Sequence, residues 1–322
     1  MNSFLELRNL IDEKLNKINY AREANSLYDP VEYILSLKAK RIRPILLLMA
    51  HQLYNNNLDK AIYPAIGVEI FHNFTLLHDD IMDHAIIRRG FKTVHEKWNL
   101  NTAILSGDAM LIKSYQSMMC VESKVLKNVL EIYNEAAVKV CIGQQWDMDF
   151  ENSKFVEIED YIKMIEYKTA ILIAASLKIG GITGGADVKN QELLYDFGKN
   201  IGIAFQLKDD LLDTFGDEDI FGKETGGDIK SNKKTFLYLK ALSIANNTQK
   251  MILEKYFEKN IADNKEKIKN VKKIFLDLKI PQITNELIYE YHSKAIKSLD
   301  CVEASDKKFF YEFSKKLLDR IN

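Results

Sequence analysis

The stretch PAIGVEIFHNFTLLHDDIMD, residues 64–83, decides the fold class. Apolar residues crowd almost every turn of it, with none of the strict alternation that marks a half-buried strand, so it reads as a long buried helix. It ends on Asp79-Asp80-Ile81-Met82-Asp83. Residues four apart share a helix face, which pairs Asp79 with Asp83. A second stretch, IGIAFQLKDDLLD at residues 201–213, repeats the design and pairs Asp209 with Asp213. One such acidic run alone reads equally well as an exposed helix end. Two of them, each after a strongly apolar run, place like charges where they are costly unless something positive compensates. Hard divalent cations suit such oxygen-only donors, and Mg²⁺ commonly takes one or two carboxylates and leaves the rest to water and phosphate.

Helical spacing continues outward from these stretches. Phe4, Leu7, Ile11, Leu15 and Ile18 share one face, and near-continuous helical patterns cover Asn101 to Cys120 and Lys127 to Gln145. The chain holds 14 Gly and 4 Pro in 322 residues, a scarcity of breakers that favours long helices over short strands joined by turns. Breaks are expected at Asn55-Asn56-Asn57, at Gly180-Gly181 through Gly184-Gly185, and from Phe215 to Lys234. The last stretch, with Gly216, Gly222, Gly226 and Gly227 among charges, reads as a long functional loop and a candidate lid. The Lys-rich segment from Asn264 to Lys273 reads as a solvated helix face and its preceding turn. No linker, repeat or low-complexity tract divides the chain, so a single all-α domain over 1–322 is expected.

Composition narrows the function classes. Hydrophobic residues make up 47% and charged residues 28%, enough for a sizeable core. Lys plus Arg at 45 nearly cancels Asp plus Glu at 46, so no global basic field points to nucleic acid. Three scattered cysteines, Cys120, Cys141 and Cys301, exclude a disulfide scaffold or zinc knuckle and fit a reducing compartment. The charged N-terminal segment lacks a signal peptide's apolar stretch, and no run of about 18 uncharged apolar residues offers a membrane span. A cytoplasmic enzyme is expected.

Local clusters of cations supply the positive partner. Lys40-Arg41-Ile42-Arg43-Pro44 precedes the apolar run PILLLMA, Arg88-Arg89-Gly90 follows the first acidic cluster, and Lys168-Thr169 opens another apolar stretch. Lys223, Asp228 and Lys233 decorate the glycine-rich loop. Any one basic pair alone reads as a surface ion pair or a helix cap. Together, Arg forks and Lys point charges suit a diphosphate.

Two aspartate-rich motifs, Lys-Arg-x-Arg-Pro, Arg-Arg-Gly and Gly-Lys…Asp…Lys make the chain from about Lys38 to Lys234 resemble the trans-polyprenyl diphosphate synthases, the polyprenyl synthetase family. The resemblance implies an isoprenoid-synthase-type bundle of mostly antiparallel helices around a deep central cavity, and a homodimer. It implies three Mg²⁺ ions, two held by Asp79 and Asp83 and the third by Asp209, with Asp80, Asp210 and Asp213 acting through water or through the first ligands. Arg88, Lys168 and Lys223 would grip an allylic diphosphate, Lys40, Arg43, His72 and Arg89 would hold isopentenyl diphosphate, and Lys233 would also bind substrate. His72 stands two helical turns before Asp79; a lone His among apolar residues is also a common core residue. Phe205 and Gln206 would pack on the reacting carbons, Gln144 and Asp147 of GQQWD would line the cavity, and Thr169 would add a cavity hydroxyl. The implied reaction ionises the allylic diphosphate, joins the cation to the isopentenyl double bond and releases a proton.

Chain length in this family depends on residues below the first motif. Phe74 lies roughly 7–8 Å and Phe71 roughly 12 Å down a helix from Asp79. The two rings share a face and would close the tunnel floor, although ordinary core packing explains them equally well. With Thr75 beside it rather than a second aromatic, Phe74 resembles the short-chain type: a C20 product is expected, with C15 a close second. Lys38-Ala39 replaces the family's usual Gly-Gly, and the C-terminal KKLLDRIN matches no closing tail. A class I terpene cyclase and a non-catalytic subunit of a heteromeric synthase are the rival readings. The first would lack the second aspartate motif and the Lys40/Arg43/His72 pocket, and the second would lose one aspartate motif.

Overall fold

A computed structural model describes residues 2–18, 24–153, 155–216, 225–257, 264–304 and 306–318. Lys223 and Gly222 of the expected loop lie outside the described residues. The chain forms two compact units, the first comprising Met1–Glu135, Ala175–Tyr195 and Glu303–Asp306, the second Ala136–Ala174, Asp196–Val302 and Lys307–Asn322.

In the first unit, α1 (Phe4–Asn16) starts with a capping box in which Glu6 N–H donates to Ser3 Oγ at 3.2 Å and Ser3 N–H to Glu6 Oε2 at 2.7 Å. Its buried residues are Leu7, Ile11 and Leu15, three of the five the spacing put on one face. Helix α2 (Asn25–Ser36) leads to α3 (Ile42–Gln52), which is buried all round from Pro44 onward, as the run PILLLMA requires. The opening stretch forms α4 (Ile62–Met82), with Asp83 capping its C-terminus. Against it packs α6 (Leu100–Met118), and Ser114 Oγ donates to Gly67 O at 2.8 Å where the helices meet.

The break expected at Gly180-Gly181 is not there. Helix α9 (Ile171–Gly184) runs through both glycines and ends at Gly185, whose φ of +94° suits a residue without a Cβ. The glycines serve packing instead: a Cβ at Gly180 would lie 2.2 Å from Leu47 O and one at Gly184 2.7 Å from His51 O, so their absence lets the helix sit directly on α3. A small hairpin also escaped the periodicity. Strands β1 (Ile87–Arg88) and β2 (Phe91–Lys92) pair antiparallel around Arg89-Gly90, both at positive φ, the sign pattern of a type I′ turn. Short helix α5 (Val94–Lys97) follows.

In the second unit lie the later part of α7 (Ser123–Asn152), α8 (Ile158–Ile165) and most of α10 (Val188–Phe215). Between α8 and α9 the backbone widens into a π-turn over Glu166–Ala170. Glycines admit that turn: a Cβ at Gly143 would meet Lys168 N at 2.4 Å, and one at Gly202 would meet Ala170 Cα at 2.6 Å. Within the expected loop lies the short helix α11 (Gly227–Lys230), and after it come α12 (Phe236–Ile244), α13 (Asn247–Phe257), α14 (Asn264–Asp277), α15 (Ile280–Cys301) and α16 (Lys308–Leu318). The Lys-rich run is α14, but it is not wholly solvated. Lys267 is buried, with its ammonium on Asn232 Oδ1, because the loop after the second acidic cluster folds over it. Among the described residues no helix is long and apolar enough to cross a membrane.

Candidate active site

In the first unit, a cavity of about 460 Å³ is lined by Lys38, Lys40, Arg43, His72 and Arg89 with the Arg41–Glu69 pair. The sequence motif delivers two kinds of arginine here. Arg41, at a left-handed φ of +52°, turns inward: Nη1 donates to Glu69 Oε1 at 2.7 Å, Nε to Asp12 Oδ1 at 2.9 Å and Nη2 to Leu35 O at 2.5 Å. Its neighbours Lys40 and Arg43 line the cavity. Arg43 Nη1 donates to His72 Nε2 at 3.1 Å. Burial, then the charges of Arg43, Arg89, Arg88 and Arg41, hold the imidazole well below its ordinary pKa, so it is the neutral acceptor that this contact requires. Arg89 Nη1 is buried and has no hydrogen-bond partner among the described residues, and burial leads in lowering that guanidinium's pKa. A buried, unsatisfied guanidinium N–H in a cavity rich in cations is a standing demand for an anion.

The first aspartate cluster sits at the C-terminal end of α4, where the helix dipole is negative and carboxylates are at a disadvantage. Asp80 is buried and held bidentately by Arg88, with Nε 2.8 Å from both oxygens and Nη2 2.7 Å from Oδ1. Desolvation nevertheless pushes the Asp80 carboxyl up from its ordinary value, against the pull of Arg88. Arg88, expected on the diphosphate, is thus engaged by Asp80 in this structure. Asp79 is half-buried and Asp83 exposed.

In the second unit, a cavity of about 280 Å³ gathers Asp147, Lys168, Thr169, Gln206, Asp209, Asp210, Asp213 and Lys233 from the expected set. The π-turn carries Lys168 and Thr169; such bulges recur at functional sites because they re-aim side chains without ending a helix. Lys168 Nζ pairs with Asp147 Oδ2 at 2.5 Å. Thr169 Oγ1 donates to Gln206 Oε1 at 2.9 Å, and Gln206 Nε2 donates to Asp210 Oδ1 at 3.0 Å. Tyr161 O–H donates to Asp210 Oδ2. The second cluster also stands near the C-terminus of its helix, α10. Gln144 is buried on α7 one turn before Asp147, and Phe205 is half-buried beside Gln206; neither lines this cavity.

Sequence reasoning missed Tyr161, Lys234 and the part played by Asp228. Gly226 N–H donates to Asp213 O at 2.6 Å and Asp228 N–H to Asp213 Oδ2 at 2.8 Å, tying the end of the loop to the second cluster. Lys234 Nζ caps the C-terminus of α7, donating to the carbonyls of Phe150, Glu151 and Ser153 at 2.6, 3.2 and 2.7 Å. No pattern in the sequence marks these roles, since each depends on a partner roughly 15 to 84 positions away. Burial, then Asp213 and Asp147, push the Asp228 carboxyl up to about 7 in spite of Lys233 and Lys168. Burial and Asp228 likewise drive Asp210 well above its usual range. Six carboxylates and three lysines line this cavity.

Two pockets of opposite character define the class: an all-α protein with a guanidinium-lined anion pocket in one unit and an oxygen-donor, carboxylate-rich pocket in the other. The sequence profile described as Polyprenyl synthetase matches residues 24–275. A geranylgeranyl diphosphate synthase of Methanosarcina mazei is 38% identical over 234 residues, 72% of either chain. One from Sulfolobus acidocaldarius is 34% identical over 310 residues, 94% of this chain and 92% of its own. A crystal structure of a geranylgeranyl pyrophosphate synthase shares 43% identity at a TM-score of 0.94, with both chains covered completely. The chain belongs to the polyprenyl synthetase family and has the all-α fold of the isoprenyl synthases.

Proposed function

We propose that this protein is a short-chain prenyltransferase that condenses isopentenyl diphosphate head-to-tail with an allylic diphosphate, to a C20 product in preference to C15. The whole chain is read as one synthase domain. The observation that carries the reading is the buried Arg89 N–H, without a partner among the described residues, in a cavity it shares with Lys40 and Arg43 on a member of this family. In this reading, Lys40, Arg43 and Arg89 hold isopentenyl diphosphate, and neutral His72 orients Arg43 by accepting its N–H. Lys168, kept in place by Asp147, grips the allylic diphosphate with Lys233, Lys223 and Arg88, the last once released from Asp80.

The donor set fits Mg²⁺. It is all oxygen, it stands at the negative ends of helix dipoles, and burial together with neighbouring carboxylates pushes the Asp210 and Asp228 carboxyls up. Among the described residues no three carboxylate, imidazole or thiol groups form a complete site by themselves, so water and diphosphate oxygens would complete the coordination. Asp79 and Asp83 would hold two ions and Asp209 a third. Bound there, Mg²⁺ would neutralise the charge that develops on the departing diphosphate. The Thr169–Gln206–Asp210 chain fixes the direction of the Gln206 amide, which offers lone pairs to positive charge on the allylic carbons. The proton released after carbon–carbon bond formation passes to the departing diphosphate.

A homodimer belongs to this reading. Leu105, Ile112 and Met119 stand 59%, 61% and 56% exposed at seven-residue spacing along α6 and its C-cap, an apolar stripe suited to a second copy. Light scattering on the purified protein checks it: a mass of one chain refutes the dimer.

The deciding experiment incubates the protein with isopentenyl diphosphate, Mg²⁺ and each of dimethylallyl, geranyl and farnesyl diphosphate, and resolves products by mass. A C20 diphosphate, abolished by chelator, is expected. Consumption of allylic substrate without isopentenyl diphosphate, giving hydrocarbon or alcohol, would make it a terpene cyclase. No turnover with any primer would make it a non-catalytic subunit.

A further inference from the structure

The aromatic pair below Asp79 is held from two sides of unequal strength. On one side Phe74 packs on Phe71 with ring centroids 5.6 Å apart, and Phe71 packs on Tyr133 at 5.4 Å. Tyr133 is anchored in turn: its hydroxyl lies 2.6 Å from Ser114 Oγ, which donates to Gly67 O at 2.8 Å. That wall is locked by buried hydrogen bonds. On the other side Phe74 meets the His78 imidazole edge-to-face at 4.7 Å. His78 is half-buried and rests on one hydrogen bond, Nε2–H to Ile104 O at 3.3 Å.

The imidazole stands where a side chain at position 107 would be. A Cβ added to Gly107 would lie 2.2 Å from His78 Nε2, 2.6 Å from Cδ2 and 3.1 Å from Cε1. Gly107 is helical, with no positive φ that would call for glycine on backbone grounds. Its role is therefore to leave room for the ring, and through the ring to back Phe74.

We propose that Gly107 and His78 are positioning residues for product length: the imidazole seated over Gly107 holds the Phe74 ring across the end of the product channel. The inference rests on the proposed function and on Phe74 closing the product channel below the first aspartate motif, as the family resemblance implies. Removing the imidazole, by deleting it or by filling its seat, frees the phenyl ring to turn toward the vacated space, and the floor opens. Of its two supports only the His78 side can give way, because the Phe71–Tyr133–Ser114 side is tied to the backbone of α4.

The test compares product lengths of wild type, Phe74→Ala, His78→Ala, Gly107→Ala and the double variant His78→Ala/Gly107→Ala, by mass, with farnesyl diphosphate as primer. Phe74→Ala is expected to lengthen the product. His78→Ala and Gly107→Ala should each raise the ratio of longer to C20 product on the order of tenfold, a change of about 1.4 kcal/mol in the relative barriers. The double variant should match His78→Ala alone, since the three atoms nearest a Cβ at 107 all belong to the imidazole that His78→Ala removes. A lost structural contact would lower the rate or the melting temperature without changing product length. If Phe74→Ala lengthens the product and the other variants keep the wild-type distribution, the positioning role is overturned while the floor survives. If Phe74→Ala leaves product length unchanged, floor and positioning role both fall. Should Gly107→Ala not fold, His78→Ala decides by itself.

Discussion

Replacing Arg41 by Met removes a side chain that ties the Lys40–Arg43 segment to Asp12, Glu69 and Leu35. The side chains of Arg41 and Glu69 are only 3% and 2% exposed, and their 2.7 Å contact is charge-assisted. Loss of one partner of a buried ion pair costs about 3–5 kcal/mol, because the other charge is left without compensation. Asn73 Nδ2 at 3.0 Å from Glu69 Oε1 supplies partial relief, which favours the lower half of that range. The 2.9 Å contact to Asp12 adds little, since Asp12 is 36% exposed and screened. Arg41 also holds a φ of +52°, a conformation costing an L-residue roughly 1–2 kcal/mol that its contacts must offset. R41M should therefore lower unfolding stability by about 3–4 kcal/mol in a urea titration followed by circular dichroism. The double variant R41M/E69L, which removes both charges, should recover at least about 2 kcal/mol of the loss. A loss below about 1 kcal/mol for R41M, or a double variant as unstable as the sum of its singles, would refute the buried-clamp argument.

Three further outcomes follow from the geometry. Gly143→Ala places a Cβ 2.4 Å from Lys168 N and must move the π-turn, so kcat/KM should fall on the order of 100-fold with the allylic substrate while the helix content is kept; unchanged kinetics would show that the turn yields without moving Lys168. Arg89→Met removes the unpartnered N–H from the anion cavity and should raise KM for isopentenyl diphosphate about 10- to 100-fold, the worth of a charge-assisted hydrogen bond, while the allylic KM stays put; an equal rise in both would count against the assignment. His51 is buried between Thr183 and Asn57, with burial holding its pKa below the ordinary 6.5. The unfolded chain therefore takes up the proton first, and the stability contributed by neutral His51 is lost as pH falls from about 6.5 through the lower folded-state value. The stability difference between wild type and His51→Gln should shrink over that range, and a difference flat from neutral to acid pH would contradict it.

The fold class was readable because buried helices announce themselves by composition and period. The quoted stretch became α4 within two residues at its start and one at its end. Gly180 misled because glycine was weighed as a breaker, whereas its missing Cβ serves close contact with Leu47, which lies more than a hundred residues earlier. The hairpin that carries Arg88 and Arg89 was too short for any alternation to register, although Arg89-Gly90 holds its turn signal.

Of the site, the sequence by itself determined the donors: which carboxylates sit four apart at helix ends, and which cations flank them. Spacing within one helix is a local property, so residue type and number suffice. Tertiary structure alone decided what each donor does. It turned Arg41 inward to Glu69 and left Arg89 with a buried N–H unmatched. It set Arg88 on Asp80, aimed Lys168 by a π-turn that Gly143 and Gly202 admit, and folded Asp228 onto Asp213. Those outcomes depend on desolvation and on partners far away along the chain, and both exist only once the helices have packed.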